Sequence, residues 1–258
     1  MDNNINETEW SGHNNAKDLL RSRIWAQLTK RHVAIGETIG HIPNFLGAEQ
    51  AADQLAQSPL WQKAKVIKCN PDTAQIPVRL RALRDGKRLY MAVPRLTQER
   101  CFVDLTASNL ASRGIDPASA APHVEALKFG NLVTFEEMQP IDLVVTGCVA
   151  VSKYGGRTGK GAGFADLELG ILRQLSLVRP DTPIVTTIHP LQIVDHTQLP
   201  MLVHDWSLTF IATPDEVIQT VFSGPQPEGL DWEQIRPEQL KTIPILRRLK
   251  QFRSSGRA

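Results

Sequence analysis

The chain has 258 residues, 41% hydrophobic and 22% charged, a balance that excludes disorder, collagen and a disulfide-bound miniprotein. Its 29 basic and 27 acidic residues leave a net charge of +2. That is too even for a protein that works by coating nucleic acid or anionic lipid, so a phosphate ligand has to be met by a local cluster of cations.

In chain order, residues 1–15 are polar and Asn-rich and are expected to be a flexible lead-in. From Ala16 to about His32, Leu19, Leu20, Ile24 and Leu28 recur at helical spacing. Lys17 and Arg21 stand one turn apart on this helix, beside the apolar stripe; taken alone they read as a solvated flank. Gly47 to Ala56 is a small-residue helix that ends near Pro59, and Trp25 and Trp61 read as core. Ala64–Lys68 predicts a strand running into a turn at Asn70-Pro71-Asp72, and Pro77 suits the first turn of a helix reaching Leu83. Arg88–Val93 is the next strand. Residues 96–140 read as an inserted edge segment with short helices.

Asp142–Thr146 is a buried-strand run that feeds a glycine-rich stretch, 155–163, and then a helix from Asp166 to about Leu177. Strands come next at Pro183–Ile188 and Leu208–Ala212. Thr213-Pro214-Asp215-Glu216 then has the form of a helix start, with cap, proline and first-turn acids. From Ser223 onward Pro and Gly thicken, and the basic run 247–253 reads as a surface helix or loose tail. Short apolar strands alternating with helices predict an α/β fold: a mostly parallel central sheet with helices on both faces, a three-layer sandwich. The expected organisation is a lead-in over 1–15, one domain over 16–222 and an extension over 223–258. Cys69, Cys101 and Cys148 are scattered and odd in number, which favours a reducing compartment over a disulfide framework or zinc site. With no signal pattern and no run of about 20 apolar residues, a cytoplasmic protein without a membrane span is expected.

The chemistry concentrates in Gly155-Gly156-Arg157-Thr158-Gly159-Lys160-Gly161-Ala162-Gly163-Phe164-Ala165-Asp166. Ligands of open α/β sheets sit at the carboxyl ends of strands, which is where this turn falls. Alternate glycines let backbone N–H groups converge on an anion, Arg157 offers a planar fork and Lys160 a point charge, and a helix N-terminus comes directly after. The turn is not a Walker A loop, because Gly161 follows Lys160 where that motif needs Ser or Thr. Nor is it GxGxxG, since the spacing is Gly159-x-Gly161-x-Gly163. Asp166 reads either as a helix-dipole acid or as a Mg²⁺ contact beside a phosphate. For Glu168 the dipole explanation is adequate. His189 and His204 have no third ligand at a standard spacing and read as structural.

Three stretches in order then carry a resemblance. They are Lys17-x-x-Leu20-Arg21; Asp142–Val145 with Gly156-Arg157-x-Gly159-Lys160-Gly161-x-Gly163-Phe164-x-Asp166; and Gln192 with Leu199-Pro200, His204-Asp205 and Thr213. Together they resemble the 5-formyltetrahydrofolate cyclo-ligase (methenyltetrahydrofolate synthetase) family. Ile42-Pro43-Asn44-Phe45, Ile67-Lys68-x-Asn70-Pro71-Asp72 and Phe164-Ala165-Asp166-Leu167-Glu168 resemble its methenyltetrahydrofolate synthetase domain-containing branch.

The resemblance implies a ligase that uses ATP and Mg²⁺ to close 5-formyltetrahydrofolate to 5,10-methenyltetrahydrofolate through phosphorylation of the formyl oxygen. It implies that Lys17, Arg21, Arg157, Gly159, Lys160, Gly161 and Gly163 hold the ATP phosphates. Arg157 and Lys160 would act on the transferring group, and Asp166 would hold Mg²⁺. Phe164, Gln75 and Trp61 are the candidate contacts of a reduced-folate substrate; Gln75 is the nearest substitute for a family glutamate. The family's two tyrosines before the aspartate are Phe164 and Ala165 here. The expected partner is a small molecule rather than membrane or nucleic acid, and the protein a monomer or homodimer. The rival readings are an ATP-dependent enzyme with a non-folate substrate and a non-catalytic nucleotide-binding module.

Overall fold

The computed structural model describes residues 14–222 and 224–254. Most of the expected lead-in, including Trp10, and the basic end at Arg257 lie outside the described residues.

Helix α1 (Asn15–Lys30) is capped by Asn14, whose side chain accepts from the Lys17 N–H at 3.1 Å. Its buried face carries Leu20, Ile24, Trp25 and Leu28 together with both cations, Lys17 and Arg21. Leu19, expected in the apolar stripe, is 74% exposed. The face turned inward is set by where α1 lands on the fold, not by its own count of apolar residues. A short antiparallel ribbon, β1 (Ala34–Ile35) with β2 (Asn44–Phe45), comes after it. Next are α2 (Ala48–Gln57) and α3 (Pro59–Lys63), the latter capped by Ser58.

The main sheet has eight strands. In chain order these are β3 (Val66–Cys69), β4 (Arg88–Ala92), β5 (Phe102–Leu105), β6 (Asn131–Val133), β7 (Leu143–Val145), β10 (Ile184–Thr187), β11 (Phe210–Ala212) and β12 (Val217–Gln219). Their spatial order is β12-β11-β10-β7-β3-β4-β5-β6. The central run β11-β10-β7-β3-β4 is parallel; β12 and β5 pair antiparallel to its two ends. Helix α4 (Ile76–Arg84), with Pro77 in its first turn, links β3 to β4. The expected insertion is an antiparallel edge, β5 and β6, joined by α5 (Ala107–Ala111), α6 (Pro117–Ala120) and α7 (His123–Phe129).

Alternation along each strand divides the core between the two faces. Val66, Tyr90, Val144, Ile184 and Ile211 pack on one side with Leu169, Ile171 and Leu172 of α8 (Phe164–Gln174). Ile67, Cys69, Leu89, Leu143, Val145 and Val185 pack on the other with Leu55 of α2 and Val78 and Leu83 of α4. Two sequence expectations are corrected. Between β7 and the glycine-rich turn lies an antiparallel hairpin, β8 (Ala150–Val151) with β9 (Arg157–Thr158), so Arg157 is a strand residue. Thr213–Glu216 does not start a helix: the Thr213 hydroxyl accepts from Asp215 N (3.3 Å) and Glu216 N (3.1 Å), and the turn sends the chain back as β12. The local cap chemistry is the one expected, but the open edge of β11 offers residues 217–219 a full set of ladder partners.

The C-terminal segment forms α9 (Pro237–Thr242) and α10 (Pro244–Ser254). Ile245, Leu246 and Leu249 of α10 are buried in the α8-side core, and Arg248 bridges Glu99 and Glu136 of the insertion. Leu246→Ala is expected to cost about 2–5 kcal/mol and lower the melting midpoint by roughly 5–15 °C by circular dichroism. A midpoint shifted by less than about 2 °C would mean that α10 does not contribute to the cooperative core.

Candidate functional site

The glycine-rich turn sits beyond the carboxyl end of β7, between β9 and α8. The β8–β9 hairpin that leads into it is shaped by backbone that only glycine allows: Gly155 has φ +85°, and a Cβ there would lie 2.7 Å from Phe222 Cβ and 2.8 Å from the Leu208 carbonyl. The exit is similar, with Gly161 at φ +118° and Gly163, the N-cap of α8, at φ +71°. No side chain caps α8, so its first N–H groups remain available to an anion.

The first helix reaches this turn. The Arg21 Nε donates to the Gly159 carbonyl at 2.7 Å, and a Cβ on Gly161 would lie 3.6 Å from the Arg21 Cζ. Arg21 also pairs with Asp18, and Lys17 pairs with Asp205. Burial pulls the Arg21 pKa down, against the opposing pull of Asp18 and Asp205. The third sequence stretch meets the same place: Asp205 also accepts from Leu202 N (2.7 Å), and the Gln192 amide donates to the Cys148 and Val149 carbonyls (3.0 and 3.1 Å) at the base of β8. The first two motifs and Asp205 of the third therefore meet at one turn, whereas Gln192 bonds the base of β8 and Thr213 closes the turn into β12.

Within the turn the residues divide. Lys160 is exposed, with no partner among the described residues, and is free to meet a ligand. Arg157 is turned inward instead and is 2% exposed; its Nε donates to the Trp206 carbonyl at 2.8 Å and its Nη2 pairs with Asp166. Asp166 also accepts from the Trp206 N–H at 2.9 Å, and both bonds fall on Oδ1. Its Oδ2 is left clear of protein donors among the described residues. One free carboxylate oxygen beside a glycine-rich turn is a donor of the kind that Mg²⁺ takes, since that ion commonly binds one or two carboxylates together with phosphate oxygens. No group of three or more His, Cys, Asp or Glu side chains suited to a metal is present among the described residues.

The expected substrate contacts fare differently. Phe164 opens α8 beside the turn, half-buried. Gln75 is fully buried, its amide 3.4 Å from the Thr187 hydroxyl. Trp61 is not at the site. It is fully buried among core side chains at the amino ends of β3 and β4, donating to Asp85 at 2.8 Å with the Lys87 ammonium 5.2 Å from its ring centroid. A second half-buried carboxylate near this end of the sheet is Asp72, which the sequence reads first as a turn residue and, through the resemblance, as a candidate lining of the pocket. A Cβ on Gly147 would lie 2.7 Å from Asp72 Oδ2, which places Asp72 over the carboxyl end of β7. Arg79, wholly buried, pins that turn through the Asn70 and Asp72 carbonyls (2.5 and 3.0 Å) and the Ala121 carbonyl (2.7 Å).

Glu168, expected as a dipole acid, is also corrected: it is buried and its Oε1 lies 2.5 Å from the Lys68 ammonium. Periodicity held the signal, since Glu168 falls among Leu169, Ile171 and Leu172 on α8. The histidine reading holds for His189, which caps its own turn by accepting from Leu191 N at 3.1 Å. Cys148 is buried, which raises its thiol pKa despite Arg157 nearby, the setting of a structural rather than a reactive cysteine.

The model of the 5-formyltetrahydrofolate cyclo-ligase family matches residues 13–214. The chain belongs to that family. Among its relatives, the methenyltetrahydrofolate synthase domain-containing protein of Mus musculus is 36% identical over 92% of this chain and 63% of its own length. The protein of the same name from Homo sapiens is 32% identical over 91% and 61%. The chain thus spans less than two thirds of these relatives. Among solved structures, the 5,10-methenyltetrahydrofolate synthetase of Aquifex aeolicus matches 83% of this chain and 100% of its own, with 17% identity and a TM-score of 0.48. The Mycoplasma pneumoniae synthetase matches 76% and 97%, with 13% identity and a TM-score of 0.43. This cyclo-ligase family member has no helix, among the described residues, long and apolar enough to cross a membrane.

Proposed function

We propose that this chain is an ATP- and Mg²⁺-dependent ligase that closes 5-formyltetrahydrofolate to 5,10-methenyltetrahydrofolate. The γ-phosphoryl group passes from ATP to the formyl oxygen, N10 attacks the activated carbon, and the C–O bond breaks to release phosphate. Such a reaction needs positioning and charge neutralisation more than a strong base. The observation that carries the reading is the bond from Arg21 to the Gly159 carbonyl, which brings the cationic helix face onto the glycine-rich turn.

In this assignment Lys17, Arg21 and Lys160 neutralise the phosphates, and the N–H groups of the turn at Gly159, Gly161 and Gly163 orient them. Asp166 holds Mg²⁺, aimed by Arg157. Bound there, Mg²⁺ would supply charge neutralisation to the reaction. Lys17 and Arg21 are held by Asp205 and Asp18, so nucleotide binding exchanges carboxylate partners for phosphate. Phe164 and Asp72 face the substrate.

The test is the absorbance rise of the methenyl product with purified protein, ATP, Mg²⁺ and 5-formyltetrahydrofolate. Lys160→Ala is expected to lower kcat/KM about 100-fold with an unchanged melting midpoint, because its side chain is exposed. A flat trace beside an active control enzyme rejects the folate assignment. The burial of both Gln75 and Trp61 favours one alternative, an ATP-dependent enzyme with a non-folate substrate. Its signature is ATP turnover stimulated by another small molecule and not by any folate.

A further inference from the structure

Two side chains from stretches singled out in the sequence are not used by the proposed reaction: Lys68 near the end of β3, and Glu168 of α8, after Asp166. They meet beneath α8. Lys68 is 1% exposed, in the middle of the sheet, on the face that also carries Val66. Its ammonium lies 2.5 Å from Glu168 Oε1 and 2.5 Å from Asn70 Oδ1. A lysine and a glutamate in such a place are costly unless they satisfy one another, and apolar residues would cover the same area with less desolvation.

The pair holds the first turns of α8. That helix begins on a left-handed glycine, Gly163, with no side-chain cap. Two side chains tether its start. Asp166 reaches toward Arg157 and the Trp206 N–H, and Glu168, two residues on and so about 200° around the helix, reaches down to β3. Tethers on nearly opposite sides fix how far α8 can rotate about its axis. That rotation sets the direction in which Asp166 presents its second carboxylate oxygen.

We propose that Lys68 and Glu168 are positioning residues for the phosphate site, with Asn70 holding Lys68, and that the pair aims Asp166 at its metal. The inference rests on the ATP and Mg²⁺ reading above. The test uses the full chain and titration calorimetry with ATP, with and without Mg²⁺, together with melting curves. The double variant Lys68→Met/Glu168→Leu exchanges the ion pair for apolar side chains. It is expected to melt within a few degrees of the parent and to bind free ATP as the parent does. The gain in affinity that Mg²⁺ gives is expected to fall about tenfold, as when an outer partner of a metal ligand is removed. Glu168→Gln, which keeps the side-chain shape, is measured in the same way and should lose the same gain; it decides the matter should the double variant fail to fold. A parental Mg²⁺ gain in a folded variant overturns the positioning role and leaves the phosphate site standing. A parent that binds no ATP, or gains nothing from Mg²⁺, overturns the phosphate reading and this inference with it.

Discussion

Arg157→Ala is expected to abolish ATP-dependent turnover and to lower the melting midpoint by roughly 5–10 °C, because it removes a buried arginine that bonds a part-buried carboxylate and a carbonyl, at a cost of about 3 kcal/mol. Arg157 is 2% exposed and joins three elements: β9, which carries it, the Trp206 carbonyl at 2.8 Å, and Asp166 of α8. Alanine would leave the Asp166 carboxylate without its cation and the Trp206 carbonyl without a donor. The effect on chemistry travels through Asp166 rather than through contact with a phosphate. Arg157→Lys separates the two losses. It keeps the charge but lacks the fork that reaches both partners. The lysine variant should fold with a midpoint a few degrees below the parent, with kcat/KM down by about 10- to 100-fold and most of the fall tied to Mg²⁺ concentration. A lysine variant within threefold of the parent at all Mg²⁺ concentrations would remove Arg157 from the site.

Arg79→Met is the second large effect. The guanidinium is wholly buried and donates to three carbonyls: Ala121, Asn70 and Asp72. Methionine fills much of the volume and satisfies none of them. Each buried carbonyl left without a donor costs about 1–3 kcal/mol, so the loss is roughly 4 kcal/mol and the midpoint falls by about 10 °C. The turn Asn70–Asp72 would also lose its anchor, and with it the placement of Asp72 over Gly147 and of Asn70 against Lys68. Nucleotide affinity should change less than turnover, since Arg21, Gly159 and Lys160 are untouched. A melt within 2 °C of the parent would show that the three bonds contribute little.

Several features were legible because they are local. The strand runs at Arg88–Val93 and Asp142–Thr146 announce themselves by composition, and Pro77 marks the first turn of α4. The glycine turn is readable because alternate glycines with two cations have few other uses. Placing Lys17 and Arg21 there needed the family resemblance, since alone they pass for a solvated flank. Their position on the face of Leu20 and Ile24 was a second signal, as cations on an inward face require partners.

The amino-acid sequence by itself determined the α/β class, the five parallel strands, the glycine-rich turn and the family to which the chain belongs, but not the β8–β9 hairpin or β12. Each feature so determined depends on neighbours a few residues apart or on residue types that few conformations accept. Tertiary structure alone decided which partner each buried charge meets. Lys68 meets Glu168 only because β3 lies under α8. Arg157 turns inward only because the stretch ending at Trp206 passes beneath the turn. Trp61 goes to the opposite end of the sheet because Asp85 and Lys87 are there to receive it. A partner 100 residues away leaves no trace in local periodicity, and desolvation, which sets the energy of each of these pairs, exists only once the layers have closed.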